Sequence, residues 1–187
     1  MYKPLHFAIT GMAPLLMHNG QLADPLNDIA KKMKAIAGKR KKTDADFEEL
    51  AKLEFLGGLY LDDKERPVVP GELIESMLAE SAKSQRMGKQ FKAGVICDGA
   101  WSLLYDGPKN ADSLWENKGF RDTRGVRIGQ NKVMRTRPVF MKWSLKFTVQ
   151  FLDDVMNEAQ VREILTHAGR LVGIGDYRPK FGRFEVA

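Results

Sequence analysis

The amino-acid sequence predicts an α+β fold in the order strand, helix, strand, strand, helix, strand, and three observations carry it. Trp143, Leu145, Phe147, Val149 and Phe151 alternate with Ser144, Lys146, Thr148 and Gln150, the period-2 signature of a strand buried on one face. Leu5, Phe7 and Ile9 alternate in the same way with His6, Ala8 and Thr10 near the start, and Gly11 closes that run. Two stretches show helical spacing instead: Leu73, Ile74, Met77, Leu78 and Ala82, and later Val161, Ile164, Leu165, Ala168 and Val172.

The remaining elements follow in chain order. Residues 12–20 are irregular, with Pro14 and a turn at His18-Asn19-Gly20. Asp24-Pro25 opens a charged helical stretch over about 26–37 that Gly38 breaks. A second helix spans about 44–56, with Thr43 or Asp44 as its cap. The apolar faces of both are narrow, so 26–56 reads as an insertion. Pro67-Val-Val-Pro70-Gly71 is an extended approach to a helix that Glu72 and Glu75 suit at its start and that runs to about Ser84, and proline is tolerated in a first helical turn. Val95-Ile96-Cys97 and Trp101–Tyr105 read as pieces of the second strand. Residues 109–130 show little regular periodicity and read as a hairpin or loop. The last helix, from Glu158, ends at Gly173, and a terminal strand runs through Phe184 and Val186.

Composition sets the bounds. The chain has 187 residues, 43% of them hydrophobic and 29% charged, which suits one domain of residues 1–187 carrying insertions. No apolar run approaches the ~18 residues of a membrane span, and the opening residues lack a secretory signal. The single cysteine, Cys97, excludes an intramolecular disulfide and fits a reducing, cytoplasmic setting. The net charge of +6 is mildly favourable for polyanions. Its distribution says more. Residues 31–42 hold seven lysines and arginines and no acid; residues 118–142 hold eight against Asp122 alone. Signs separated in this way point to a basic face.

The strand and helix order is that of a ferredoxin-like split βαβ core, with a four-stranded antiparallel sheet and both helices on one face. Three segments then resemble the RAMP superfamily, which includes the backbone subunits of CRISPR effector complexes. They are Ile9–Gly20; the run Leu61–Leu78, where a short polar turn leads through proline-glycine into the first helix; and the loop Gly173-Ile-Gly-Asp-Tyr-Arg-Pro-Lys-Phe-Gly-Arg183 with its following strand. The resemblance implies a modified RNA-recognition fold that grips single-stranded RNA, such as a guide, by its backbone and repeats along it. It implies copies of itself and other effector subunits as partners in a ribonucleoprotein complex. It also implies a thumb-like hairpin, placed within the basic segment 109–142. The insertion 26–56 is not matched to any part of the family's pattern, and a protein-interaction or assembly subunit of phage or plasmid origin is the alternative. RNA and DNA are not separable on sequence.

Candidate contacts fall in three places. In the terminal loop Arg178, Lys180 and Arg183 suit phosphate oxygens, and Tyr177 or Phe181 could stack on a base, although packing is the favoured role for Phe181. In the middle segment Arg124, Arg127, Lys132, Arg135 and Arg137 supply cations. Arg135 and Arg137 alternate onto one side of an extended run and could track phosphates or simply guard an edge strand. After the first strand, His18 and Asn19 sit where the family's loop meets RNA. Asp24 is the weak candidate for a metal-dependent ribonuclease centre; an ordinary capping role is favoured, and no enzyme activity is assigned. Three scattered histidines and one cysteine make no zinc spacing, and no cofactor is expected. Gly173-x-Gly175 is not a dinucleotide fingerprint, because Arg178 occupies the third glycine position and the motif follows a helix.

Overall fold

The computed structural model describes residues 1–187, Ile128 by its backbone alone. The strands are β1 (Tyr2–Gly11), β2 (Leu15–Leu16), β3 (Val68–Pro70), β4 (Val95–Ile96), β5 (Ala100–Ser102), β6 (Arg121–Ile128), β7 (Asn131–Phe140), β8 (Ser144–Leu152) and β9 (Phe184–Val186). The helices are α1 (Asp28–Ala37), α2 (Asp44–Gly58), α3 (Gly71–Ser84), α4 (Gly88–Gly94), α5 (Ala111–Glu116) and α6 (Glu158–His167), the last prolonged by a π turn over Ala168–Val172. The chain forms two compact units. One comprises residues 1–15, 67–106 and 140–187; the other comprises 16–66 and 107–139.

The first unit is the ferredoxin-like core. Its sheet runs β4-β8-β1-β9. All three ladders are antiparallel, with Phe7 opposite Phe147 and Ile9 opposite both Leu145 and Val186. Alternation sends Leu5, Phe7, Ile9, Leu145, Phe147, Val149 and Phe151 into the core, as a half-buried sheet requires. The helices bring their own apolar stripes to it: Ile74, Met77, Leu78 and Ala82 from α3, and Val161, Ile164 and Leu165 from α6, all buried. Ser81 on α3 is fully buried between the helices. Its hydroxyl donates to the Ile164 carbonyl at 2.8 Å and meets His167 Nδ1 at 2.9 Å, so the Ser–His contact is packing between helices and its hydroxyl proton is already committed. Asn157 starts α6 with a capping box closed by Gln160.

One reading is corrected here and another made specific. Ala100–Ser102 does not continue the second core strand. It pairs with β3, because Gly99, at φ 104°, turns the chain out of the β4 line. Residues 109–130, read as a hairpin or loop, hold a helix and one strand of a hairpin. They form α5, capped by Asn110, and then the first strand of the β6–β7 hairpin.

The second unit holds the hairpin and the paired helices α1 and α2. Asn27 caps α1, accepting from Ile29 N at 2.9 Å and Ala30 N at 3.2 Å, so α1 starts two residues later than its composition predicts. Thr43 and Asp46 close a capping box on α2. Phe55 and Trp115 are buried and meet edge to face at 5.5 Å, joining α2 to α5. Among the described residues no helix is long and apolar enough to cross a membrane.

Candidate nucleic-acid interface

In the first unit the candidate surface is the loop between α6 and β9. Gly173, at φ 77°, ends the π turn, and its N–H donates to the Ala168 carbonyl at 2.8 Å. The loop then folds onto itself. Ile174 N donates to Gly182 O at 2.9 Å, and Gly182 N to Pro14 O at 2.8 Å. Gly182 has φ 74°, and a Cβ there would lie 1.7 Å from the Ile174 carbonyl oxygen. Close approach of the loop's own backbone therefore explains this glycine without any ligand. Arg183 O accepts from Met12 N at 2.8 Å and Ala13 N at 3.2 Å, which fastens the loop to the segment after β1. Ile174 and Phe181 are buried beneath it, so Phe181 packs, and its ring lies 5.8 Å from that of Tyr177.

The outward side chains differ in how free they are. Arg178 is engaged with Glu80 at 3.1 Å and with the Gly173 carbonyl at 3.4 Å. The shallow depression beside it, about 390 Å³, also carries Asp176 and Glu80, so carboxylates there oppose a phosphate. Lys180 and Arg183 are exposed and make no ion pair among the described residues. Tyr177 is 47% exposed at the loop surface.

In the second unit the hairpin register decides which cations share a side. Arg124 lies opposite Arg135, Asp122 opposite Arg137, and Arg127 opposite Lys132. Directly opposed residues face the same way, so Arg124, Arg135, Arg137 and Asp122 form one face, and Arg127 and Lys132 belong to the other. The first face is largely neutralised. Arg124 grips the Asp122 carboxylate with both Nε and Nη2. Arg135 donates to Glu54 Oε1 at 2.8 Å, while Glu54 Oε2 accepts from Thr136 N, also at 2.8 Å. Glu54 thus reaches from α2 to hold the hairpin. Arg127 and Lys132, near the hairpin tip, are exposed and make no ion pair among the described residues. Gly125 leaves room for the Lys132 stem, since a Cβ there would meet Lys132 Cε at 2.4 Å.

The turn after β2 is committed to the fold. Asn19 Oδ1 accepts from Gln21 N at 3.0 Å and Asn19 Nδ2 donates to Leu59 O at 3.0 Å. His18 is exposed, and its carbonyl accepts from Tyr60 Oη at 3.2 Å. Asp24 Oδ1 accepts from Leu26 N at 2.9 Å, which makes it a turn residue. No cluster of three metal-ligating side chains occurs among the described residues. Arg40 and Lys41, in the loop between α1 and α2, are further exposed cations outside the candidate set; the acid-free basic run was their sequence signal. Between α1, α2 and the hairpin lies an apolar groove of about 760 Å³ lined by Met33, Ala37, Phe47, Leu50, Val133 and Met134. Phe47 is 57% exposed and Met134 63%.

The fold resembles that of a chain in the cryo-EM structure of the Type III-B Cmr-beta bound to cognate target RNA, with a TM-score of 0.57 and 12% sequence identity. The match covers 100% of this chain and 59% of that one, so the present chain spans little more than half the length of its structural neighbour. At this identity the likeness is one of fold. No known family and no curated protein matches the sequence.

Proposed function

We propose that this chain binds the backbone of single-stranded RNA as a non-catalytic subunit of a CRISPR-effector-like ribonucleoprotein complex in the cytoplasm, with copies repeating along the strand. One observation carries the reading. A loop closed by its own backbone hydrogen bonds, on a fold like that of a chain from an RNA-bound assembly, presents Lys180 and Arg183 outward with no carboxylate among the described residues engaging them. Cations on a pre-ordered loop meet phosphates at little cost in ordering. The tip pair Arg127 and Lys132 supplies a second cationic point on the hairpin, which we assign as the thumb. The binding chemistry is electrostatic: the ammonium and guanidinium groups displace condensed counterions from the strand. Base identity then matters little, because phosphates carry no sequence information.

The test is what travels with the purified protein. Trimming its nucleic acid with a nuclease should leave protected single-stranded RNA in lengths that are multiples of one footprint. Protein free of nucleic acid, and unable to take up added RNA, would overturn the reading. The apolar groove of the second unit favours a protein contact as well, since exposed patches of this kind mark interaction sites. An assembly whose size survives complete nuclease digestion would show that protein contacts hold it.

A further inference from the structure

The face of the sheet turned away from the helices carries a second feature. β8 has a ladder partner at its end, where Phe151 and Gln150 meet Val95 and Ile96, and at its start, where Ser144 meets Leu104. Between those points no strand among the described residues flanks it on that side. Cys97 Sγ donates to Thr148 O at 3.7 Å there, and Trp101 stands edge-on to Phe147, centroids 6.0 Å apart. Beside it lies a pocket of about 410 Å³, lined by Trp101 with His6, Ala8, Lys146 and Thr148 and floored by Phe7 and Phe147 of the paired strands. His6 Nδ1 is fixed against Thr148 Oγ1 at 2.9 Å. Lys146 is exposed and makes no ion pair among the described residues, although Asp98 and Glu185 are exposed elsewhere in this unit.

Trp101 is the odd one of three tryptophans. Trp115 and Trp143 are 6% and 3% exposed, whereas Trp101 is partly open to water at the mouth of the pocket. The central strands offer nothing comparable on this face, where His6, Ala8 and Thr10 stand opposite Thr148, Lys146 and Ser144. An aromatic surface and a cation lining the same pocket fit an unpaired nucleotide, base on ring and phosphate on ammonium.

We propose that the Trp101–Lys146 pocket is a nucleotide subsite, separate from the glycine loop, in which one unpaired base of a bound single strand stacks on the indole while its phosphate meets Lys146. The inference rests on the reading that the chain binds single-stranded RNA. It adds base stacking, which the phosphate contacts of the loop do not supply.

The test uses two probes, a uridine tetranucleotide and a fluorescein-labelled 20-mer of single-stranded RNA. Subtracting the emission of Trp101→Phe from that of the parent isolates the Trp101 signal from the two buried indoles. The tetranucleotide should quench that signal. Trp101→Ala should weaken 20-mer binding by about 5- to 150-fold, and Lys146→Glu should weaken it and lower the salt slope by about one. Circular dichroism of each variant checks that the fold is kept. If the 20-mer binds the parent and Trp101→Ala equally, and the tetranucleotide leaves Trp101 emission unchanged, the subsite is wrong while RNA binding stands. If the parent retains no RNA of either length, the proposed function fails and the subsite with it.

Discussion

Glu54 is the residue whose loss should be felt most in the second unit. Its side chain is 7% exposed and carries two contacts, one to Arg135 and one to the Thr136 amide. In Glu54→Ala the Thr136 N–H is left buried without this acceptor, a cost of about 1–3 kcal/mol. Arg135 is 35% exposed, so water recovers part of its loss, and the ion pair itself adds only about 1 kcal/mol. The sum is about 2–4 kcal/mol. Glu54→Gln keeps an acceptor for Thr136 and should cost about half as much. Amide exchange reads the effect locally: Thr136 should exchange about 30- to 900-fold faster in Glu54→Ala, at 1.36 kcal/mol per decade. A double-mutant cycle with Arg135→Met should return a coupling above about 0.5 kcal/mol. Unchanged Thr136 protection with no coupling would refute the idea that Glu54 fastens the hairpin to α2.

Other outcomes follow from the same geometry. The Lys39 ammonium, and after it the Thr43 backbone N–H, hold the Asp46 carboxyl down at about 2. The folded value lies below the unfolded one, so the stabilisation is present at neutral pH, starts to fade below about 3.9 and is gone once the pH falls through the folded value. An NMR titration of Asp46 should show that low midpoint in the parent and an upward move in Lys39→Met; identical midpoints would refute the pairing. Burial pushes the Cys97 thiol up to about 12, so a disulfide reagent at pH 8 should label it only after unfolding, and labelling of the native protein at the rate of a free thiol would contradict its burial. Gly182→Ala forces a left-handed φ and a Cβ into the Ile174 carbonyl. It should cost more than about 2 kcal/mol, read by urea unfolding; a neutral effect would show that the loop is not closed as described.

Much of the core was readable because it is amphipathic. Strand β8 and the stripes of α3 and α6 combine strong apolar periodicity with one buried face, and they lie within a residue or two of their expected bounds. The hairpin was expected from the resemblance, but its strands and register were not readable, for the opposite reason. Arg121-Asp-Thr-Arg-Gly-Val-Arg-Ile128 has only two apolar branched residues, both near its end, so no sustained alternation reports its pairing with β7. The partners of Arg135 and Arg178 were equally hidden, since Glu54 and Glu80 lie far away in sequence. Of the basic residues chosen from sequence, Arg178, Arg124 and Arg135 are engaged within the fold. Lys180, Arg183, Arg127 and Lys132 are the outward cations, a division that follows from tertiary contacts and hairpin register, which composition does not encode. Asn19 lay in the expected turn, but its work is to cap and tie that turn.

Titrating a labelled 20-mer of single-stranded RNA at salt concentrations from 50 to 300 mM, by fluorescence anisotropy, asks whether the outward cations hold a phosphate chain. The logarithm of affinity should fall linearly with the logarithm of salt for the parent, at about −0.7 per phosphate neutralised. Lys180→Glu with Arg183→Glu should bind far more weakly, with a slope shallower by one to two phosphates and circular dichroism unchanged. Equal affinity and equal slope in the parent and this double variant would place the RNA contact, if there is one, away from the terminal loop.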